Sequence, residues 1–188
     1  MKKLIIIGLV LFSNVGFAQN KTLPSKAPIN FGPVIEKLLT ESPEDFPKSC
    51  GEIKNFTENE DLKQYHSVFK LPLADSCYFF DDITEEFDTY KVFEATFGFY
   101  KSKKDGLKAL ETLSRYISDN PGIMKVLSKE PLDDSEDGVV QLFVGKNPPN
   151  NSTVLSIYLE TVEAFNPNTQ NPMEYYKLTL SISEDFSL

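Results

Sequence analysis

The sequence predicts an α+β domain of two layers, an antiparallel sheet of five to six strands carrying two main helices on one face. Three observations lead there. An apolar stripe at helical spacing runs from Leu107 to Ile117. Three segments alternate apolar and polar residues: Tyr90 to Tyr100, Val154 to Phe165 and Tyr175 to Ser183. No helical pattern separates the last strands, so short connections must turn the chain back and pair it antiparallel.

The chain opens with a segment that does not belong to this domain. Lys2 and Lys3 precede an unbroken apolar run from Leu4 to Phe12, and Gly16-Phe17-Ala18 places small residues at the −3 and −1 positions of a cleavage site. That is the pattern of a secretory signal peptide over residues 1–18. A membrane span needs about 20 apolar residues, and Ser13, Asn14 and Gln19 interrupt this run early. Cleavage near Ala18-Gln19 would release the protein into the periplasm or outside the cell, with no membrane span left. Residues 19–30, polar and with two prolines, read as a flexible linker, and residues 31–188 as a single domain.

The elements follow in order. Gly32-Pro33 opens the first helix, since proline suits the first turn. Val34, Ile35, Leu38 and Leu39 share one face of it, and Ser42-Pro43 stops it. Glu44 to Leu62 is acidic and irregular. Strand signals are weak over Tyr65 to Leu71 and stronger over Cys77 to Phe80, before an acidic loop from Asp81 to Asp88. In the next strand Phe93, Ala95, Phe97 and Phe99 point one way, and Glu94, Thr96, Gly98 and Tyr100 the other. Ser102 starts the second helix, with Asp105 completing a variant capping box. Leu107, Leu110, Leu113, Ser114 and Ile117 form its buried stripe, and Asp119-Asn120-Pro121-Gly122 ends it. A short helical turn is expected at Ile123 to Leu127. Val139 to Val144 is nearly all apolar and reads as a central strand. The last two strands set Leu155, Ile157 and Leu159, then Leu178, Leu180 and Ile182, toward a core. The helices should pack on the side of Phe93, Leu155 and Leu178, leaving the other face partly open to water.

Composition excludes several functions. The one histidine rules out multi-His metal sites, and the two cysteines rule out an all-thiolate zinc or iron–sulfur site in one chain. Loss of Lys2 and Lys3 takes the 19 basic residues to 17 against 28 acids, a net charge of −11. Such a charge repels nucleic acid and anionic membranes. Glycine-rich phosphate loops are absent, so nucleotide cofactors have no support. In an oxidising compartment Cys50 and Cys77 are expected to form a disulfide. Closing that loop would contribute about 3.5 kcal/mol in the chain-entropy model. Two free thiols are the alternative; redox catalysis lacks a C-x-x-C spacing.

Three candidate chemistries remain. His66 lies in a Tyr65-His66-Ser67 segment, but no G-x-S-x-G elbow accompanies it. The acidic clusters sit in polar loops, where nothing raises a carboxyl pKa for glycosidase work. Asp133-x-Ser135-x-Asp137-Gly138 resembles the first half of an EF-hand loop, whose oxygens at positions 1, 3 and 5 hold Ca²⁺. Position 12 is Val144 rather than glutamate, so an ion would need carboxylates from elsewhere, such as the Asp81–Asp88 loop. The remaining feature is the open sheet face, with Tyr100, Tyr158, Tyr175 and Lys177 among Thr96, Ser156, Glu160 and Thr179. Tyrosine beside small hydroxyls suits recognition of a protein or small ligand, although tyrosine also favours strands for its own sake. The sequence thus reads as an exported, non-catalytic binding or accessory protein. A small secreted hydrolase using His66 or the acidic loops, and a calcium-stabilised module, are the alternatives.

Overall fold

The computed structural model describes residues 21–42, 45–56, 63–83, 89–120, 123–130, 139–145, 153–165 and 172–184. Helix α1 is Phe31–Glu41 and α2 is Lys103–Ser118. The strands are β1 Cys50–Phe56, β2 Lys63–Ser67, β3 Ser76–Ile83, β4 Thr89–Tyr100, β5 Ile123–Glu130, β6 Val139–Gly145, β7 Thr153–Phe165 and β8 Pro172–Glu184. They form one sheet in the order β1-β2-β3-β4-β8-β7-β6-β5, and every neighbouring pair is antiparallel. No helix among the described residues is long and apolar enough to cross a membrane.

The expected α+β class holds, with both helices contributing to one core. The six expected strands make up the interior of the sheet, and one more is added at each edge. At one edge, β1 arises from the stretch expected to be irregular. Its sequence, Cys-Gly-Glu-Ile-Lys-Asn-Phe, barely alternates, and two register shifts break its pairing with β2. At the other edge, β5 replaces the expected helical turn. Pro121-Gly122 separates it from α2, and pairing with β6 overrides local helix preference.

The topology explains where α2 lies. β4 and β5 run in the same direction but stand four places apart, so the chain must cross the sheet between them. Helix α2 makes that crossing, and it packs on β7 and β8 on the way. Under it, sheet residues stack in rows set by the register: Phe79, Phe93, Ile182 and Leu155, then Ala95, Leu180 and Ile157, then Leu178 and Leu159. All are fully buried, or within 1% of it. Phe31, Ile35 and Leu38 of α1 join them, with Ala109, Leu110, Leu113, Tyr116 and Ile117 of α2. Phe31 meets Tyr116 edge-on at 5.5 Å, tying the helices together. Gly106 lets α2 settle close, since a Cβ there would stand 2.8 Å from a Leu159 methyl.

Both helix starts follow local chemistry. Ser102 Oγ accepts from the Asp105 N–H at 3.2 Å and donates to the Asp105 carboxylate at 2.8 Å, so the capping-box variant forms. Pro33 falls in the first turn of α1, where its missing N–H leaves no bond unmade.

Two further expectations are corrected. The segment expected to be a flexible linker touches the domain at Lys21, Leu23, Pro24 and Ala27, while Ile29 is fully exposed. Leu23 is buried, the Tyr116 hydroxyl donates to the Pro24 carbonyl, and Lys21 Nζ meets Asp75 Oδ1 at 2.5 Å. Cys50 and Cys77 are free thiols rather than a disulfide. Cys50 pairs with Ser67 of β2, and β2 in turn pairs with β3, so a whole strand stands between them. Two strand spacings are about 9–10 Å, beyond the roughly 7 Å that a disulfide tolerates between Cα atoms.

Candidate functional site

Strands β3, β4, β8 and β7 have a second face opposite the described helices, its side chains half-buried except for Thr179 and Ser181, which are buried. Alternation places Ser156, Tyr158, Glu160 and Val162 of β7 on it, beside Ser181, Thr179, Lys177 and Tyr175 of β8. Glu94 and Thr96 of β4 continue the rows, and Tyr78 and Phe80 of β3 lie beyond them.

Three of the four expected binding residues share this face: Tyr158, Tyr175 and Lys177. Tyr100 does not. Between Thr96 and Gly98 the β4–β8 register slips by one residue. A one-residue bulge moves every later side chain to the opposite face. Phe97 and Tyr100 therefore both point to the core, and Phe99, expected inside, pairs in register with Lys177 on the outer face. The bulge depends on Gly98, whose φ of +145° is a conformation side-chain-bearing residues rarely adopt. The Tyr100 ring folds back over this glycine, its hydroxyl 3.5 Å from where a Cβ would be.

Within the face, Tyr158 is a brace. Its hydroxyl donates to Glu94 Oε1 at 2.7 Å. Tyr158 and Thr96 are both register partners of Thr179, so the phenol spans β8 to reach β4. That span accounts for Thr179 being fully buried on a polar face. Burial pushes the Tyr158 phenol far above its ordinary range, and the charge and hydrogen bond of Glu94 push it the same way, followed by Glu160. The Thr179 hydroxyl lies close enough to oppose this slightly, but its oxygen makes no well-formed hydrogen bond. A phenol so held stays neutral and donates. Lys177 and Glu160, directly opposed, form an ion pair at 2.9 Å. Tyr175 is half-buried, with its hydroxyl 3.5 Å from Met173 Sδ.

Sequence reasoning missed the β3 side of this face. Tyr78 and Phe80 are half-buried and meet edge-on at 6.4 Å, and Lys54 Nζ stands 3.8 Å from the Tyr78 ring centre. The signal was present in Cys77-Tyr78-Phe79-Phe80: once Phe79 goes inward, strand alternation sends its neighbours outward.

The other candidates separate cleanly. His66 is exposed on β2, opposite Tyr78, and no serine or carboxylate among the described residues is hydrogen-bonded to it in the manner of a catalytic triad. Asp133, Ser135 and Asp137 lie outside the described residues. Among the described residues no group of three potential ligands could hold a metal ion. Asp81, which could have lent calcium a carboxylate, is buried on the core side. It accepts from Tyr65 Oη at 2.9 Å and lies 3.7 Å from Lys91 Nζ. Tyr65 is pushed up to about 12 by burial and then by the Asp81 bond and charge. Burial raises both thiols above their ordinary range. Lys91 partly offsets this for Cys50, against Asp81 and Asp45; the Leu71 N–H and then Lys70 do so for Cys77. Neither cysteine is a ready thiolate.

Fold and face together define a two-layer α+β protein with a polar–aromatic sheet surface. Comparison with protein-family models, with curated proteins and with solved structures finds no match for this chain.

Proposed function

We propose that this chain is an exported, non-catalytic binding or accessory protein, acting in the periplasm or outside the cell, and that it holds a protein partner on the sheet face opposite its helices. Export rests on the leader pattern of residues 1–18. The observation that carries binding is that Tyr78 and Phe80 with Lys54, and Tyr175 with Lys177 toward the other end of the strands, all lie on that one face. Half-buried aromatic rings supply rigid contact area at small entropic cost, and the lysines and Glu160 supply a polar rim. Tyr158 and Glu94 contribute by stiffening the surface. The net charge, −9 for the full chain and −11 without Lys2 and Lys3, favours a partner with a basic contact patch.

The test is capture from an envelope extract by the immobilised protein, with partners identified by mass spectrometry. A stoichiometric partner is expected. Replacing Tyr78 and Tyr175 together by Ala should lower its yield at least about tenfold, since aromatic anchors carry most binding energy. The melting temperature should stay near that of the parent. Capture unchanged in the double variant, or an empty capture by the parent, would remove this assignment.

A further inference from the structure

Removal of residues 1–18 would leave a particular residue at the new chain end. Gly16-Phe17-Ala18 precedes Gln19, so glutamine becomes the first residue. An amino-terminal glutamine differs chemically from an internal one. Its own α-amine is spaced from the side-chain carboxamide so that attack closes a five-membered ring, and an intramolecular reaction of this kind is strongly favoured over attack from solution. The next residue, Asn20, lacks this option, because its shorter side chain would close a four-membered ring.

Just downstream, the domain holds its own chain. Lys21 Nζ donates to the Leu73 carbonyl and meets Asp75 Oδ1 at 2.5 Å. Leu23 is 6% exposed, and the Tyr116 hydroxyl donates to the Pro24 carbonyl. Only Gln19 and Asn20 would precede the first of these anchored residues. Chain ends are where proteolysis concentrates unless they are tied down. An aminopeptidase needs a length of extended chain and a free α-amine. The anchors at Lys21, Leu23 and Pro24 withhold the first, which leaves the amine as the point of attack.

We propose that Gln19 is a modification site and that the mature chain begins with pyroglutamate, an assignment that rests on the export proposed for this protein. The α-amine nitrogen attacks Cδ of the Gln19 carboxamide. The N–Cδ bond forms, the Cδ–Nε2 bond breaks, and a proton from the α-nitrogen leaves with the amide nitrogen as ammonia. No oxidant, reductant or second substrate is consumed. The product is a neutral lactam, so the terminus loses a group that is otherwise largely protonated at neutral pH. The lactam denies an aminopeptidase its amine, and the anchored segment denies it slack.

The experiment recovers the protein from the envelope and medium of its own host. Intact mass is measured, and the amino terminus of the denatured protein is sequenced before and after treatment with pyroglutamyl aminopeptidase. The expected mass is that of residues 19–188 less one ammonia, with sequencing blocked until the enzyme exposes Asn20. Gln19→Asn, produced in the same host, should show no loss of ammonia and should sequence directly. A general aminopeptidase should leave the folded parent intact, and should remove from the folded variant the two residues ahead of Lys21 and no more. A chain cut after Ala18 with Gln19 still open would overturn the cyclisation and leave export standing. A retained leader, or cleavage at another bond, would overturn both. Equal trimming of parent and variant would overturn the protection.

Discussion

Replacing Gly106 by Ala measures how closely α2 sits on the sheet. In an exposed helix this change gains about 1 kcal/mol, because alanine gives up less backbone freedom than glycine. Here the new methyl would stand 2.8 and 2.9 Å from the two δ-methyls of Leu159, and 3.3 Å from Tyr176 Cβ. Carbon atoms rest comfortably at about 3.5–4.0 Å, so the helix or the leucine must yield by roughly 0.7 Å or more. Leu159 is fully buried, and its methyls can swing only into atoms already packed. Overpacking of this kind costs about 1–3 kcal/mol. The propensity gain offsets part of that, leaving a net loss of about 1 kcal/mol. For a domain of this size the melting point should fall by about 2–4 °C.

The discriminating comparison repeats the substitution in Leu159→Ala, where the methyl enters vacated space. Gly106→Ala should then stabilise that background by up to about 1 kcal/mol, giving a coupling of roughly 2 kcal/mol between the positions. Urea unfolding of the four proteins supplies the numbers. A Gly106→Ala variant more stable than the parent, or one equally destabilised in both backgrounds, would refute the close-seating argument.

Other consequences can be checked with simpler measurements. Tyr65, Tyr100 and Tyr158 all have raised phenol pKa values in the native state. The unfolded chain releases these protons near pH 10; stability is therefore complete below that value and falls as pH rises through it. Urea midpoints at pH 8 to 11 should show the decline, and a flat profile would contradict it. Tyr158→Phe removes a hydrogen bond to a charged acceptor, so unfolding should become easier by about 1.5–3 kcal/mol. Dithiothreitol should leave the melting temperature unmoved, and a thiol reagent should find both cysteines in denaturant without prior reduction; one disulfide per chain would show as no reaction.

The strands that sequence patterning places correctly are those with long, one-sided alternation. In β7 and β8, Leu155, Ile157 and Leu159 and then Leu178, Leu180 and Ile182 all go to the core. In β4 the same reasoning works as far as Phe97 and then inverts. Alternation carries phase forward, and nothing in Phe97-Gly98-Phe99-Tyr100 announces that the phase changes, apart from the glycine that permits it. That one slip removes Tyr100 from the face where its spacing had put it. The edge strands were illegible for a different reason. β1 and β5 owe their conformation to a neighbouring strand more than to their own residues. The disulfide expectation failed on distance, because spacing along the chain does not reveal that β2 lies between the two cysteines. The β3 side of the second sheet face was legible, had Phe79 been taken as the inward residue.

The strand order has a consequence for how the molecule comes into being. β8, the last described strand in the sequence, lies at the centre of the sheet, between β4 and β7. Until it is available, β1 to β4 and β5 to β7 are two separate ribbons, each with a raw inner edge. The row from Phe93 through Ile182 to Leu155 cannot close without it. Assembly therefore waits for the final strand and joins residues nearly ninety positions apart, as with Phe93 and Ile182, a long-range closure that slows folding. The sheet becomes whole only when β8 slots between β4 and β7.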